Sequence, residues 1–261
     1  MNSRKRIAVF GVKGFPAFGG AARANENVID ILKEKFDYTI YAVETHTDKK
    51  GFYNGYYQKV FRGYKGKRIN TFLYYWKSVF HALLFGDFDL VLVNHISSGF
   101  IVPFLRLRYK VVATARGFIP KVDNKWNKID KFFFDISAYL FFNFSNTSIS
   151  VCKTHIAIFK KYTRRRILYV PNGIHDQSGN MSLKEHNDYL LFAAGRIISL
   201  KGAHTLLAAL NRLNYKEETL FIGSMDHTPE YKEYLYRLGA NLNIKYLGLI
   251  KERELLFKII M

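Results

Sequence analysis

A single cysteine, Cys152, stands in 261 residues. That excludes an intrachain disulfide framework and any cysteine-based zinc site, and it fits a reducing compartment, the cytoplasm. Acidic side chains are also scarce, 21 Asp and Glu against 40 Lys and Arg, for a net charge of +19. Such an excess favours an anionic partner: nucleic acid, an acidic membrane face or a phosphorylated substrate. The charge does not choose among them. No stretch reaches the roughly 18 uninterrupted apolar residues of a spanning helix; 132–144 comes closest and is broken by Asp135 and Asn143. Behind the basic start 1–6, the apolar stretch 7–12 is too short for a signal peptide and ends at Lys13. The expected location is cytoplasmic, with any membrane contact peripheral, on the inner face.

What is present is a globular composition, 49% hydrophobic, 16% aromatic and 23% charged. Apolar runs at 7–10, 38–43, 90–93, 110–114, 147–151 and 167–170 alternate with helical patterns around Ala24 to Leu32, over 72–85 and over 125–142. Alternation of this kind predicts an α/β fold with a parallel sheet. Pro171-Asn172-Gly173 breaks it, and a polar stretch, 174–188, reads as a linker. The pattern then restarts: strand 189–194, helix 203–213, strand 218–222, helix 230–238, strand 243–247. The expected organisation is two Rossmann-like domains, 1–173 and 189–261, the second incomplete.

Two loops carry chemistry. In the second half an apolar run read as a buried strand leads into Gly195-Arg196-Ile197-Ile198-Ser199-Leu200-Lys201-Gly202, and Ala203, Leu206, Leu207 and Leu210 follow at helical spacing. Free N–H groups at that helix start, with Arg196 and Lys201 beside them, suit a phosphate or diphosphate. The alternative is that both are solvated loop charges and Gly202 merely starts a helix. In the first half, strand 7–10 runs into Gly11-Val12-Lys13-Gly14-Phe15-Pro16-Ala17-Phe18-Gly19-Gly20. It has neither the dinucleotide spacing nor the P-loop lysine. Gly19 and Gly20 let backbone approach a ligand, or they serve a tight turn needing positive φ. One such loop after the first strand of each sheet suggests a ligand between the domains, at the carboxyl ends of the strands.

These residues resemble the retaining glycosyltransferases of family four, which have the two-domain GT-B fold and use nucleotide-sugar donors, and especially bacterial rhamnosyl- and related transferases of surface polysaccharide. The likeness runs through 14–20, through 99–108 with 110–114, through Ser148-Ile149-Ser150-Val151 and Val170-Pro171-Asn172-Gly173-Ile174, and through Gly195-Arg196 with Lys201-Gly202. It continues in Phe221-Ile222-Gly223 and Tyr246-Leu247-Gly248. The resemblance implies that Arg196 and Lys201 neutralise the donor diphosphate as its glycosidic bond breaks. It places Gly19 and Gly20 at the same phosphates or on the acceptor side, Gly195 in the donor clamp, and Gly248 and Leu249 by the base. It implies a glycan or lipid-linked acceptor, and no cofactor.

Two departures from the family pattern stand out. Where the family often has histidine before glycine, this chain reads Ala115-Arg116-Gly117. Arg116 becomes an acceptor-side candidate for a phosphate, or else a surface or ion-pair arginine. The family's glutamate pair, two helical turns apart, is absent before Met261. Glu252 and Glu254 sit two apart and cannot replace it. The chain is therefore expected to be truncated at its carboxyl end, either an enzyme or an inactive nucleotide-binding or scaffolding chain of the same fold.

The remaining signals are assigned more plainly. His95 follows a strand and is a second acceptor-side candidate, or a hydrogen-bonded scaffold histidine. Asp87-Phe88-Asp89 reads as polar loop chemistry, the histidines lack ligand spacing, and no metal is expected. The basic clusters 59–68 and 160–166, with the aromatic helix of Phe132, Phe133, Phe134, Tyr139, Phe141 and Phe142, suit an anionic membrane surface. Solvated charges and core aromatics are the alternative. No nucleic-acid module appears, so nucleic acid is not an expected partner.

Overall fold

The computed structural model describes residues 4–17, 20–64, 66–117, 127–173, 189–226, 228–250 and 252–260. The chain forms two compact units, Met1–His175 and Asp176–Met261. Residues 174–188, read above as a linker, lie outside the described residues.

The first unit is built on strands β1 (Lys5–Lys13), β2 (Phe36–Val43), β3 (Gly51–Tyr53), β4 (Tyr56–Phe61), β5 (Leu90–Asn94), β6 (Lys110–Ala115), β7 (Thr147–Ser150) and β8 (Ile167–Tyr169). Helices α1 (Gly20–Leu32), α2 (Lys67–Phe85), α3 (Val102–Arg106), α4 (Lys128–Phe144) and α5 (Lys153–Phe159) connect them, with a 3-10 turn at Ile96–Ile101. The eight strands lie in the order β3-β4-β2-β1-β5-β6-β7-β8. All pairings are parallel except β3 with β4. Parallel neighbours require crossovers, and the helices covering both faces explain the continuous apolar strands. Period-two alternation then divides the core. Ala8 and Phe10 of β1, with Tyr41 and Val43 of β2, pack under α2 and α4. Ile7 and Val9, with Tyr38 and Ile40, join Ile29 of α1 on the other face.

Several elements differ from the sequence reading. The helix expected over 72–85 starts at Lys67, since its first turn carries a single apolar residue, Ile69, among Lys67, Arg68 and Asn70. That expected over 125–142 runs Lys128–Phe144, capped by Asn127, whose side chain accepts from the Asp130 N–H at 2.7 Å. The hairpin β3–β4 went unread, although its turn is Asn54-Gly55, both at positive φ, the pattern two-residue hairpins demand. Of the aromatic helix, Phe134, Phe141 and Phe142 are core residues, while Phe132, Phe133 and Tyr139 face outward.

The second unit contains β9 (Tyr189–Arg196), α6 (Ala203–Arg212), β10 (Glu218–Ser224), α7 (Pro229–Leu238), β11 (Ile244–Gly248) and α8 (Arg253–Ile260). Its three strands are parallel in the order β11-β10-β9. Ala203, Leu207 and Leu210 of α6 are buried with Phe221 and Leu235, as the helical spacing requires. The strand read as buried is instead half-buried. It is an edge strand, and Leu190, Phe192 and Ala194 pack on the helical layer while Ala193 and Gly195 are exposed.

Candidate functional site

In the first unit the carboxyl ends of β1, β5 and β6 and the start of α1 meet around a backbone that only glycine permits. Gly11 has φ +90°, and a Cβ there would lie 1.8 Å from the Asn94 carbonyl oxygen. Gly14, at φ +128°, is pressed against Thr47. The loop beyond is fixed at Phe15. Buried Gln58 accepts from the Phe15 N–H at 2.8 Å and donates to its carbonyl at 2.9 Å, and Thr47 Oγ1 donates to the same carbonyl at 2.6 Å. Gly19 lies outside the described residues. Gly20 opens α1 without a left-handed φ, and a Cβ there would meet nothing within 4 Å. The tight-turn reading therefore fits Gly11 and Gly14 and does not fit Gly20.

Arg116 occupies the centre of this edge. Its Nε donates to Asn94 Oδ1 at 3.3 Å, one terminal nitrogen to Asn172 Oδ1 at 2.6 Å, and the other to Asn25 Oδ1 at 2.8 Å. Among the described residues its partners are three neutral amides. Among the described residues no carboxylate pairs with it. Burial lowers the guanidinium pKa to about 10: the positive charge is desolvated. Among the described residues two of its five N–H groups are left without an acceptor. Beside it opens a cavity of about 160 Å³, polar where Asn25, Asn94, Arg116 and Asn172 line it and apolar along Val28, Ile149 and Val170.

His95 lines a narrower recess with Gly11, Asn25, Asn94 and Arg116, so the structure brings both acceptor-side candidates together. Its backbone is at φ +102°, rare for a side-chain-bearing residue, and its Nδ1 lies 2.8 Å from Ser97 Oγ. Burial first, then the charge of Lys13, lowers its pKa. Lys13 was missed by the sequence reading. It too has positive φ, +65°, and its ammonium donates to Thr71 Oγ1 at 3.1 Å. Burial lowers the pKa of Lys13, and among the described residues no carboxylate answers it. Its charge also depresses His46, second to burial there.

The sign of this coupling is testable. Each histidine is held below its ordinary 6.5 in the folded state, so the associated stability is present above that pH and is lost as pH falls through the folded values. Lys13→Met should raise both pKa values, leaving them below 6.5 because burial remains. NMR titration of the two imidazoles measures this; unmoved values would show that Lys13 does not act on them.

In the second unit the predicted clamp sits at the carboxyl end of β9. Arg196 ends the strand, and the next residue, buried Ile197, donates its N–H to the Ser224 carbonyl at 2.8 Å. A 3-10 turn, Ser199–Lys201, and Gly202 in the left-handed region lead into α6. Arg196, Gly195 and Lys201 are exposed, and neither cation has an ion-pair partner among the described residues. The amides at the helix start are less free than expected. Gly202 N–H donates to Ser199 O, Thr205 N–H to Gly202 O, and His204 N–H to the Tyr231 hydroxyl at 3.3 Å. Gly248 ends β11 at φ +70° with open space at its Cβ, followed by exposed Leu249. Glu252 precedes α8 and Glu254 lies in its first turn.

The acidic pair before β5 is structural: Asp89 accepts from the Arg6 N–H at 2.7 Å and Asp87 pairs with the Arg6 guanidinium at 2.6 Å. No group of three metal-ligating side chains occurs among the described residues.

No protein-family model matches the sequence, and no curated protein matches it. Solved structures do. Sucrose-phosphate synthase from Thermosynechococcus elongatus is similar with TM-score 0.69 at 17% identity, over 95% of this chain and 71% of that one. HepE of Anabaena, in complex with UDP and glucose, gives 0.65 at 17% identity, over 95% and 70%. A glycosyltransferase from Rickettsia africae gives 0.64 at 16% identity, over 99% and 72%. The likeness establishes the fold, α/β of the GT-B glycosyltransferase type.

Proposed function

We propose that the protein transfers a sugar from a nucleotide-sugar donor to a glycan or lipid-linked acceptor of surface polysaccharide, with retention at the anomeric carbon. The observation that carries this reading is a pair of cations, Arg196 at the end of β9 and Lys201 in the turn beyond it, neither with an ion-pair partner among the described residues, on a fold shared with a protein seen with UDP and glucose. As the sugar–oxygen bond breaks, negative charge grows on the departing diphosphate, and two fixed cations lower that barrier. A new bond forms from the acceptor oxygen to the sugar carbon, and the acceptor proton ends on the released nucleotide or on water. Gly19, Gly20 and Gly195 belong to the phosphate side, Gly248 and Leu249 to the base, and Arg116 with His95 to the acceptor. No metal or other cofactor is part of the proposal. Catalysis takes place in the cytoplasm, at the inner face of the membrane.

The test is binding and turnover across a panel of nucleotide sugars. Binding with turnover supports the enzyme; binding without it supports the non-catalytic nucleotide-binding reading of the same fold. On the acceptor side, Arg116→Met should raise the acceptor KM about tenfold or more, the scale of a charge-assisted hydrogen-bonding pair. Donor affinity should be unchanged, since Arg116 is assigned to the acceptor and not to the donor phosphates. A fall in donor affinity with the acceptor KM unmoved would contradict this division.

A further inference from the structure

The face of the first unit that carries α2, α3 and α4 is apolar outside as well as inside. Tyr74, Tyr75 and Val79 of α2 and Ala138, Phe141 and Phe142 of α4 are buried against the sheet. The opposite side of α2 repeats Ile69, Phe72, Trp76, Phe80 and Leu84 at spacings of three and four, a second apolar stripe. All of these but the half-buried Trp76 are exposed. Trp76 packs edge-on against Phe104 of α3 at 4.8 Å, and Phe72 stacks on Phe100 of the 3-10 turn. On the far side of that turn, where Gly99 lies under the Ser137 carbonyl, α4 turns out Ile129, Phe132, Phe133 and Ile136. Leu107 is 81% exposed, Phe85 77% and Phe133 65%. Single exposed apolar residues need no explanation, but so many on three neighbouring elements do.

The charge of the band identifies what covers it. Neither α2 nor α3 contains an acidic residue. Lys77, Arg106, Arg108, Lys128 and Lys131 lie on the same elements or directly beyond them, in a chain of net charge +19. Of the two acids of α4, Asp130 sits in its first turn and Asp135 accepts from Tyr162. Among the described residues no helix is long and apolar enough to cross a membrane. Aromatic side chains fringed by lysine and arginine suit the headgroup boundary of an anionic bilayer, where rings enter the apolar edge and cations meet lipid phosphates.

We propose that this α2–α3–α4 band docks the protein on an anionic lipid bilayer. It gives the peripheral membrane contact of the functional reading a defined surface, but it rests on the surface alone and holds whether or not sugar is transferred. The chain has two tryptophans, Trp76 and Trp126, so Trp126→Phe makes Trp76 the only reporter. Phosphatidylcholine vesicles containing phosphatidylglycerol should sediment the protein and shift Trp76 emission to the blue. Pure phosphatidylcholine should do so weakly, and high salt should weaken the binding. Replacing Leu107, Phe132 and Phe133 with serine should reduce partitioning about tenfold or more, given the apolar area each contributes. Because these side chains are exposed, the unfolding transition and nucleotide affinity should stay as in wild type. The proposal is overturned if wild type ignores anionic vesicles or if the triple variant binds them equally well. It is also overturned if the same substitutions dissolve a dimer in solution while vesicles never bind. Vesicle binding without nucleotide binding would leave this surface standing and sink the sugar-transfer reading instead.

Discussion

Gly11→Ala should abolish cooperative folding of the first unit. The added methyl would lie 1.8 Å from the Asn94 carbonyl oxygen, and φ +90° is unfavourable for alanine even in open space. The obstruction is backbone, so no side-chain rotation relieves it. β1 and β5 are parallel neighbours through Phe10 and Val93, so relief means parting two central strands at the point where Asn94 also accepts from Arg116. Steric overlap, backbone strain and a broken asparagine cage together should cost more than about 4 kcal/mol, against total stabilities of about 5–15 kcal/mol. Both tryptophans belong to this unit, so urea unfolding followed by their fluorescence reads it selectively. Gly20→Ala is the contrast: with open space and no left-handed φ, its stability should change by less than about 1 kcal/mol. Equal transitions for wild type and Gly11→Ala would refute the packing described here.

The second large effect falls on ligand binding and not on folding. Arg196→Ala and Lys201→Ala should each weaken nucleoside-diphosphate affinity about tenfold, and together about a hundredfold, close to 2.7 kcal/mol. Both side chains are exposed and have no ion-pair partner among the described residues, so the unfolding transition should move by less than about 0.5 kcal/mol. The same charges should make wild-type affinity fall with salt, and the double variant should lose most of that dependence. Calorimetric titration at two ionic strengths measures both. A double variant that binds as wild type does would remove the clamp from the account.

Local patterns in the sequence were enough to find most strands and helices. The run 7–10 lies within Lys5–Lys13, and the helix read at 203–213 is Ala203–Arg212, because burial on both faces of a parallel sheet and a 3.6-residue stripe each leave a local trace. The β3–β4 hairpin leaves a trace as well, Asn54-Gly55. Other features left none. Asn25, Asn94 and Asn172 are far apart in the chain, and only the fold gathers them around Arg116. Nothing in their neighbourhoods marks asparagine as a partner for a buried cation. The phenylalanines of α4 differ in fate by helical register alone: Phe134 is core and Phe133 is surface, one position apart. Lys13 looked like a break in an apolar run, and its weight comes from burial beside two histidines.

The central claim is that the second unit holds the diphosphate of a nucleotide sugar through Arg196 and Lys201. Titrating the full chain with UDP-, GDP-, ADP- and dTDP-sugars tests it most directly, with NMR resonances of Gly195, Gly202 and Gly248 as the local readout. The account predicts saturable binding of at least one nucleotide, shifts at those glycines, and loss of both in the Arg196→Ala, Lys201→Ala variant. A folded wild-type chain that binds none of them, or binds with those glycines unmoved, would contradict it.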